Sequence, residues 1–362
     1  MRAKEFQQRR SILGTDLEER KLDGLLVFSR ANIQYLCGFT GDNGILFINS
    51  ERAVLFTDPR FEIQAADQTG DHVTVNIVRG PLVAGLCHWL KKRIVLKLGF
   101  EKAKISFENY EALHSGLPRK TTLLPVAGMV EMRRMVKSFE EVRLIRHSVT
   151  ICSEAFSETA RNLRPGIREN ELAAELEYRM RKLGAQKPAF DTIVASGPRS
   201  ALPHAEPTHK PLTPNKLILV DMGASKDGYS SDMTRMIFFG TPGARVRSLY
   251  AAVLEAQLAA LAAVREGNTA GDVDSAARRV LESHGLGRAF VHSTGHGLGL
   301  EIHEPPRLGQ KESTRLQAGM AITIEPGVYL QGFGGIRIED TVVVKHRGCE
   351  VLTPTPKELL TL

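Results

Sequence analysis

Two carboxylates lie in a segment that reads as a strand–turn–strand unit. Asp221 and Asp232 belong to LILVDMGASKDGYSSDMTRMIFF, in which two apolar runs flank the polar connection SKDG. Asp-Gly between β-type runs is typical of a hairpin, because glycine accepts positive φ at no steric cost. A four-residue loop closed by Ala224 and Tyr229 would place Asp221 opposite Asp232, with Cβ atoms about 5 Å apart. Two facing carboxylates on an apolar background require a cation or a shared proton.

Two further carboxylates lie in a second segment of the same kind, AITIEPGVYLQGFGGIRIEDTVVV. Its strand-like runs are Ala321 to Val328 and Ile336 to Val344, joined by a glycine-rich loop around Gly332. Folding the segment about that glycine sets Glu325 opposite Glu339. Four acidic oxygen ligands with a nearby histidine indicate a site for two divalent metal ions. Carboxylates with one imidazole suit Mn²⁺, Co²⁺ or Zn²⁺, and the residue types do not select among them.

The candidate nitrogen ligands are histidines from two loops. His292, His296 and His303 lie within VHSTGHGLGLEIHE, whose glycines argue against the regular helix of an HExxH zinc site. One of the three can ligate a metal, and the others can hydrogen-bond an oxyanion or the substrate. His204, on the proline-rich loop ASGPRSALPHAEPTHK, is a further candidate, whereas His209 is expected to be an exposed loop residue.

One arginine belongs to the same group by strand alternation. Arg337 lies two residues before Glu339, so the two side chains share one face of the strand. Arg337 can balance the charge of that glutamate, or it can hold a substrate carboxylate through a bidentate fork.

The elements that must position these residues form an internal duplication. LRPGIRENELAAELEYRMRKLGA aligns with VREGNTAGDVDSAARRVLESHGL at a constant offset of 101 residues. A long helix precedes each copy, at about 138–161 and 244–263, and a carboxylate-bearing hairpin follows each. Ser138 and Glu141 form a capping box at the start of the first long helix. Two helix–helix–hairpin halves related by a pseudo-twofold would bring the two carboxylate pairs together.

The N-terminal part of the chain is expected to be a smaller mixed α/β domain. DGLLVFS, GILFIN, AVLFTD and VTVNIV read as strands, and Pro59 to Gln68 reads as a helix. The fold class is therefore α+β. We place the N-terminal domain at 1–127, a linker at 128–137 and the duplicated catalytic domain at 138–362.

Composition limits the functional classes. The chain has 362 residues, of which 42% are hydrophobic and 25% charged, as in globular proteins. There is no run of about 18 apolar residues, so no membrane span is expected, and the charged N-terminus lacks an export signal. The net charge of +7 arises from basic residues interspersed with acidic ones, without a nucleic-acid-binding motif. Four cysteines far apart in the chain indicate free thiols and a cytoplasmic location.

The segments SGPRSALPHA, LVDMGASKDGYSSDMTR, HSTGHGLGLEIHE, TIEPGVY and GIRIEDTV resemble the Xaa-Pro peptidases of the metallopeptidase family with the pita-bread fold. NIQYLCGFTG and LFTDPRF are similar to the N-terminal domain of that family, so the resemblance covers nearly the whole chain. The resemblance implies that Asp221 serves one metal, that Asp232 and Glu339 bridge both, and that His296 serves the other. It also implies that Glu325 is a ligand that handles the proton of the nucleophilic water.

The same resemblance implies roles for residues around the metals. His204 and His303 are similar to the outer histidines that contact substrate and the tetrahedral intermediate. His292 resembles a residue that lines the substrate pocket, and Arg337 resembles an arginine beside the bridging glutamate.

The resemblance implies hydrolysis of the peptide bond before proline, in a dipeptide or a longer peptide. A dipeptidase (prolidase) is slightly favoured over an aminopeptidase P, and a homodimer is expected. Methionine aminopeptidase fits less well, because it typically lacks an N-terminal domain of this size. A creatinase-like hydrolase works without metal, and a peptide-binding pseudo-enzyme has lost the ligands. The presence of all five ligand positions weighs against both.

Overall fold

The computed structural model describes residues 3–362, which divide between Arg134 and Met135 into two compact units. The N-terminal unit contains a six-stranded mixed sheet with strand order β4-β3-β2-β1-β5-β6. Its strands are β1 (Gly24–Val27), β2 (Gly44–Ile48), β3 (Ala53–Thr57), β4 (Thr74–Ile77), β5 (Lys97–Glu101) and β6 (Thr122–Val126). β2 pairs antiparallel with β1 and with β3, and the other three pairs, β1–β5, β3–β4 and β5–β6, are parallel.

The helices of this unit are α1 (Ala3–Glu19), α2 (Arg30–Cys37), α3 (Glu62–Thr69), α4 (Leu82–Lys91), α5 (Phe107–Gly116) and α6 (Met129–Met135). The strands predicted from DGLLVFS, GILFIN, AVLFTD and VTVNIV are confirmed. The first three are almost entirely buried, whereas β4, at the edge of the sheet, is only partly buried. The segment predicted as a linker contains α6, whose Met129 and Val130 are buried. That segment is therefore packed.

Four helices of the C-terminal unit reproduce the duplication read from the sequence. They are α7 (Phe139–Asn162), α8 (Glu169–Lys182), α9 (Ala244–Ala263) and α10 (Ala270–Ser283). α8 and α10 begin and end at positions that differ by the offset of the sequence repeat. Their buried faces coincide as well, with five equivalent buried positions in each: 169, 172, 173, 176 and 180 in α8, and 270, 273, 274, 277 and 281 in α10. The capping box of Ser138 and Glu141 at the start of α7 is confirmed.

One helix in the described part of the chain, α9, has the length and apolarity of a membrane span. A core helix can satisfy the same test. Tyr250, Val253, Ala256 and Ala260 of α9 are buried in the main core cluster, and α9 packs against α10. These residues give α9 the buried face of a core helix.

The strands of the C-terminal unit form several small sheets. They are β7 (Lys187–Pro188), β8 (Ile193–Ser196), β9 (Leu217–Met222), β10 (Ala224–Lys226), β11 (Tyr229–Ser230), β12 (Met233–Phe238), β13 (Gly295–Gly297), β14 (Glu304–Leu308), β15 (Ala321–Ile324), β16 (Gly327–Leu330), β17 (Gly334–Arg337), β18 (Asp340–Val344), β19 (Cys349–Val351) and β20 (Leu360–Thr361). The two largest sheets have the orders β20-β12-β9-β8 and β14-β13-β15-β18-β19. The strands β9, β12, β15 and β18 are buried along their whole length.

The four cysteines are free thiols, as predicted, and only Cys349 is partly exposed. Burial raises the pKa of the Cys37 thiol to about 12, so it stays protonated and unreactive.

Candidate metal centre

The first hairpin brings its two aspartates to one face, in a register that differs from the predicted one. Asp221 pairs with Thr234, and Lys226 pairs with Tyr229. The turn thus has two residues, Asp227 and Gly228, with φ of 52° and 83°. Both φ values are positive, as a tight hairpin turn requires. The predicted four-residue loop was therefore wrong, and Asp232 lies diagonally across from Asp221, two residue pairs nearer the turn.

The difference in register does not change the face of the hairpin on which the two aspartates lie. The two registers differ by two residues, and side chains repeat their direction every two residues along a strand. Asp221 and Asp232 consequently remain on the same face, although they are diagonal and not directly opposed neighbours.

The second hairpin has the predicted register. Ile324 pairs with Asp340 on one side of the carboxylates, and Gly327 pairs with Arg337 on the other. Glu325 and Glu339 are therefore opposite each other, in a gap between two ladders. The gap occurs next to Pro326, which has no N–H to donate across the strands.

The donor atoms from both hairpins and from β13 converge. Ligand atoms of Asp232, His296 and Glu339 all lie within 4.8 Å of one another. The Nε2 atom of His296 is 3.4 Å from a carboxylate oxygen of Asp232 and 3.4 Å from one of Glu325. Together with Asp221, these residues line one cavity of about 810 Å³. The five residues predicted as metal ligands are therefore assembled at one place.

The tautomer of His296 is fixed by its surroundings. Its Nδ1 atom lies 3.0 Å from the carbonyl oxygen of Gly297, which can only accept a hydrogen bond. Nδ1 therefore carries the proton, and the lone pair of a neutral ring is at Nε2, facing Asp232 and Glu325. A lone pair directed at two carboxylates is favourable only when a cation lies between them or the ring takes a second proton.

The carboxylates show the same need for positive charge. Burial raises the pKa of Asp221, although Arg337 opposes the shift. Burial, with repulsion from neighbouring carboxylates, raises the pKa of Asp232 and of Glu339 well above the ordinary range. Oδ1 of Asp221 and Oε1 of Glu339 are buried and find no hydrogen-bond partner among residues 3–362. These oxygen and nitrogen donors fit divalent cations, which would supply the missing charge.

A chain of hydrogen bonds surrounds the donors on one side. The Arg337 guanidinium is buried and donates to Asp221, to Oγ1 of Thr234 at 3.0 Å and to the Tyr329 hydroxyl at 2.6 Å. Arg337 therefore balances the charge of Asp221, and its donors are used within the protein. The alternative in which Arg337 forks a substrate carboxylate is not favoured by this geometry.

His292 is the next member of this chain. Its Nδ1 atom lies 2.8 Å from the carbonyl oxygen of Ser293, and its Nε2 atom lies 2.8 Å from the Tyr329 hydroxyl. The hydroxyl can donate to Nε2 while it accepts from Arg337. Burial lowers the pKa of His292, which agrees with a neutral ring whose two nitrogens are both engaged.

His204 and His303 also line the cavity, and both are exposed. The His303 ring packs edge-on against the His296 ring, with centroids 4.4 Å apart. Burial and the neighbouring His296 lower the pKa of His303, so it is a neutral hydrogen-bond donor at neutral pH. The structure thus brings all nine predicted site residues to one region.

Three further residues of the site were missed by sequence reasoning. Thr234 donates to Oε2 of Glu339 at 2.7 Å, and strand alternation from Asp232 could have identified it. Tyr329 could have been found by pairing its strand across the Gly332 loop, which sets it opposite Gly335. Arg307, which lines the cavity, has no local signal.

An internally duplicated α+β domain that converges four carboxylates and one imidazole on a cavity defines a metal-dependent hydrolase. Comparisons with known proteins agree. Residues 143–346 match the model of metallopeptidase family M24, and residues 9–136 match that of the creatinase/prolidase N-terminal domain. The chain belongs to metallopeptidase family M24, and the predicted pita-bread fold is confirmed.

Solved structures and curated relatives match over almost the whole chain. The Xaa-Pro dipeptidase from Bacillus anthracis has a TM-score of 0.95 and 37% identity, covering 99% of this chain and 100% of its own. The X-Pro aminopeptidase from Thermotoga maritima has a TM-score of 0.88 and 37% identity, covering 95% and 99%. The Xaa-Pro dipeptidase of Pyrococcus furiosus is 36% identical, over 95% of this chain and 97% of that protein.

Proposed function

We propose that this protein is a metal-dependent Xaa-Pro dipeptidase, which hydrolyses the peptide bond before a C-terminal proline. The observation that carries the proposal is the convergence of Asp221, Asp232, His296, Glu325 and Glu339 on one cavity. Similar proteins named Xaa-Pro dipeptidase support it, at 36–37% identity over at least 95% of this chain.

The five residues would hold two divalent cations, and Mn²⁺, Co²⁺ and Zn²⁺ all suit their donor types. Asp232 and Glu339 would bridge the two ions, Asp221 would serve one, and His296 would serve the other. Bound there, the ions would acidify a water molecule and polarise the scissile carbonyl.

The protein's own groups would handle the proton and the developing charge. The Glu325 carboxylate faces the cavity and accepts a hydrogen bond from Oγ1 of Thr323 at 3.2 Å. In the proposed mechanism, Glu325 would take the proton of the attacking water and pass it to the leaving nitrogen. His204 and His303 line the same cavity as hydrogen-bond donors for the carbonyl oxygen, where negative charge grows in the transition state.

The ability to accept proline follows from what the site does not require. The nitrogen of an Xaa-Pro bond carries no hydrogen, so it cannot be held through an N–H donor. A site that acts on the carbonyl oxygen and carbon has no such requirement. Phe190, Ile193 and Ile302 give the cavity apolar surface that can receive the proline ring.

A dipeptide also presents a free carboxylate, and Arg307 is placed to bind it. Arg307 lines the cavity and is exposed. Its guanidinium is held by no ion pair or hydrogen bond from within residues 3–362, in contrast to that of Arg337. A guanidinium fork matches a carboxylate in two parallel hydrogen bonds. In a longer peptide the carboxylate would lie elsewhere, so Arg307 favours the dipeptidase over the aminopeptidase P alternative.

The proposal is tested by comparing a Xaa-Pro dipeptide with the matching Xaa-Pro-Yaa tripeptide, after loading with Mn²⁺ or Co²⁺ and with a chelated control. We expect metal-dependent cleavage that strongly prefers the dipeptide. Arg307→Ala should raise KM for the dipeptide by roughly 10- to 100-fold and change the tripeptide little. Preference for the tripeptide would mean an aminopeptidase P, and the absence of metal-dependent cleavage of either would overturn the proposal.

The proposal includes a homodimer in a reducing cytoplasm. The free cysteines support the location, and the similarity to the Xaa-Pro peptidases supports the dimer. Sedimentation velocity at micromolar concentration would test the dimer, and a monomer at every concentration would contradict it.

A further inference from the structure

Glu169 is a buried carboxylate outside the metal centre with an unusually complete set of donors. It is the first residue of α8 and is 0% exposed. Its Oε1 atom accepts from the amide and the hydroxyl of Ser196, at 2.8 and 2.9 Å. Its Oε2 atom accepts from the amide and the hydroxyl of Thr208, at 3.0 and 2.7 Å, and from Nε of Arg199 at 3.2 Å. Five hydrogen bonds thus converge on one side chain.

These donors belong to the two ends of one segment. Ser196 and Thr208 flank residues 197–207, which we call the His204 loop. Five consecutive residues of this loop, from Pro203 to Pro207, line the catalytic cavity. Arg199 links Glu169 to the loop interior, because its Nη2 atom donates to the carbonyl oxygen of Glu206 at 2.5 Å. The side chain of His204 is exposed, so its position depends on the backbone that carries it.

Asp274, in the second half of the duplicated domain, also accepts hydrogen bonds from a segment that borders the cavity. It is 0% exposed, and its Oδ1 atom accepts from the amide and the hydroxyl of Thr294, at 3.0 and 2.9 Å. Its other partner is Arg278, with an Nε–Oδ2 distance of 2.5 Å. Arg278 in turn donates to the carbonyl oxygens of Phe290 and His292, at 3.2 and 2.5 Å.

The two arrangements share one plan. In each, a buried carboxylate on the second helix of the half-domain accepts from a hydroxyl–amide pair and from an arginine. The arginine then holds a carbonyl oxygen in a histidine-bearing wall of the cavity. Asp274 is equivalent by the repeat to Ala173, one helical turn after Glu169 and on the same buried face. The buried carboxylate therefore occupies the same helix face in both halves, but at a position one turn apart.

We propose that Glu169 and Asp274 are positioning residues for the reaction. Glu169 fixes the His204 loop, and Asp274 fixes the 290–296 segment that carries His292 and His296. Neither carboxylate touches the cavity; both act through the backbone that they hold. The catalytic consequence rests on the proposed function, whereas the ordering of the two segments does not.

The physical reason is the cost of leaving these donors unpaired. An amide or hydroxyl that loses a charged acceptor inside the protein must find water or another partner, so the segment that carries it moves. Glutamine at position 169 would replace one acceptor oxygen by a donor amide, which faces the remaining donors. A displacement of about 1 Å at a group that contacts the transition state costs roughly 100-fold in rate.

The experiment compares Glu169→Gln with Glu171→Gln in the full-length protein. Glu171 is exposed in the same first turn of α8 and caps only the amide of Arg168, at 2.9 Å. Amide hydrogen exchange is measured with chelator and with Mn²⁺. We expect exchange in the His204 loop to rise at least about tenfold in Glu169→Gln, with β9 and β12 unchanged, and no such rise in Glu171→Gln. Thr208→Val, which removes one hydroxyl donor, provides a milder variant.

The second arm compares Asp274→Asn with Asp272→Asn, an exposed capping residue of α10. Exchange should rise in residues 290–296 for Asp274→Asn alone. Unchanged exchange in the held segment, or a uniform rise that includes β9 and β12, would overturn the proposal.

Kinetics then separate positioning from general stability. Glu169→Gln is expected to lower kcat/KM by roughly 10- to 100-fold in the native background, and to have little further effect in a His204→Ala background. Equal effects in both backgrounds would show that Glu169 does not act through His204. If the native protein cleaves no Xaa-Pro peptide, the proposed function fails, and the exchange measurements still decide whether Glu169 and Asp274 order their segments.

Discussion

Asp232→Asn is expected to change the metal-free and metal-loaded protein in opposite directions. Asp232 is 5% exposed, and its burial, together with repulsion from neighbouring carboxylates, raises its pKa. Replacing it by asparagine keeps the shape and removes one negative charge. Without metal, this relieves repulsion and should stabilise the fold. With metal, it removes a ligand charge and should weaken binding and abolish activity.

The magnitude follows from the distances in the site. Ligand oxygens of Asp232 and Glu339 lie within 4.8 Å of each other. Two unit charges at that separation repel by about 3.5 kcal/mol at an effective dielectric constant of 20. Proton uptake relieves part of this at neutral pH, so we expect a gain of about 1–3 kcal/mol in the free energy of unfolding without metal. For a unit of this size, Tm should rise by about 2–10 °C.

The negative charge of Asp232 attracts a bound cation, so its removal weakens the metal-loaded protein where it stabilises the metal-free one. Loss of about 3 kcal/mol of attraction corresponds to roughly a hundredfold weaker metal binding. Activity should fall further, by about a thousandfold or more at saturating metal, since under the proposed function Asp232 bridges both ions and so also orients the reacting groups.

The assay is differential scanning calorimetry with and without chelator, combined with isothermal titration of Mn²⁺ and with dipeptide hydrolysis at measured metal occupancy. Asp227→Asn is a matched control, because Asp227 is exposed at φ 52° in the turn of the same hairpin, where asparagine is well tolerated. Turnover retained by Asp232→Asn at full metal occupancy would refute the assigned role. A lowered Tm without metal would refute the argument from repulsion.

Further outcomes are expected at three other places in the C-terminal unit. His303→Ala should keep its metal content while kcat falls by roughly 100- to 1,000-fold, and an equal loss of bound metal would contradict its role as an outer hydrogen-bond donor. Arg235→Met should cost about 3–5 kcal/mol in urea unfolding, because it breaks the 2.8 Å ion pair with the fully buried Asp340 and leaves the carbonyl oxygens of Pro356 and Thr355 without their donor. Lys357, whose Nζ is 2.6 Å from Asp340, still balances that carboxylate, so Asp340 should stay ionised; a cost below about 1 kcal/mol would contradict the prediction. The pKa of Asp272 is lowered, and the largest cause is the hydrogen bond from the amide of Thr269. The stability that the Asp272 carboxylate adds to the fold is therefore fully present above its ordinary pKa and is lost as pH falls through the lowered value. Asp272→Asn should therefore cost about 0.5–1 kcal/mol at pH 7 and less in acid, and a cost independent of pH would contradict this.

The hairpins show how far local sequence rules reach. The register of the second hairpin was predicted because the glycine-rich loop around Gly332 has a single centre. In the first hairpin, Asp227 and Gly228 can form either the last two residues of a four-residue loop or a complete two-residue turn. Nothing in the local sequence separates these choices, which differ by two residues. That difference preserves the face of every side chain, so the site was found despite the wrong register.

The ion-pair partner of Arg337 could not be predicted from the local sequence pattern. Alternation along β17 placed it on the face of Glu339, and the expected partner was that glutamate. In the folded protein its charge is balanced by Asp221, from the other hairpin. Which carboxylate comes nearest depends on how the two halves meet, and strand periodicity carries no information about that distance.

The sequence by itself determined the duplication, the four helices of the C-terminal unit, the donor types and the face of the strand on which each donor lies. These follow from hydrophobic period, capping and turn chemistry, which act over a few residues. Tertiary packing alone decides three further features: within residues 3–362, Asp221 and Glu339 keep buried oxygens without a hydrogen-bond partner, and Arg307 of the cavity has no ion pair or hydrogen bond from its guanidinium, while Glu169 is buried under the His204 loop. Burial, protonation and the pairing of charges depend on segments far apart in the chain, and packing of helices against sheets sets those distances.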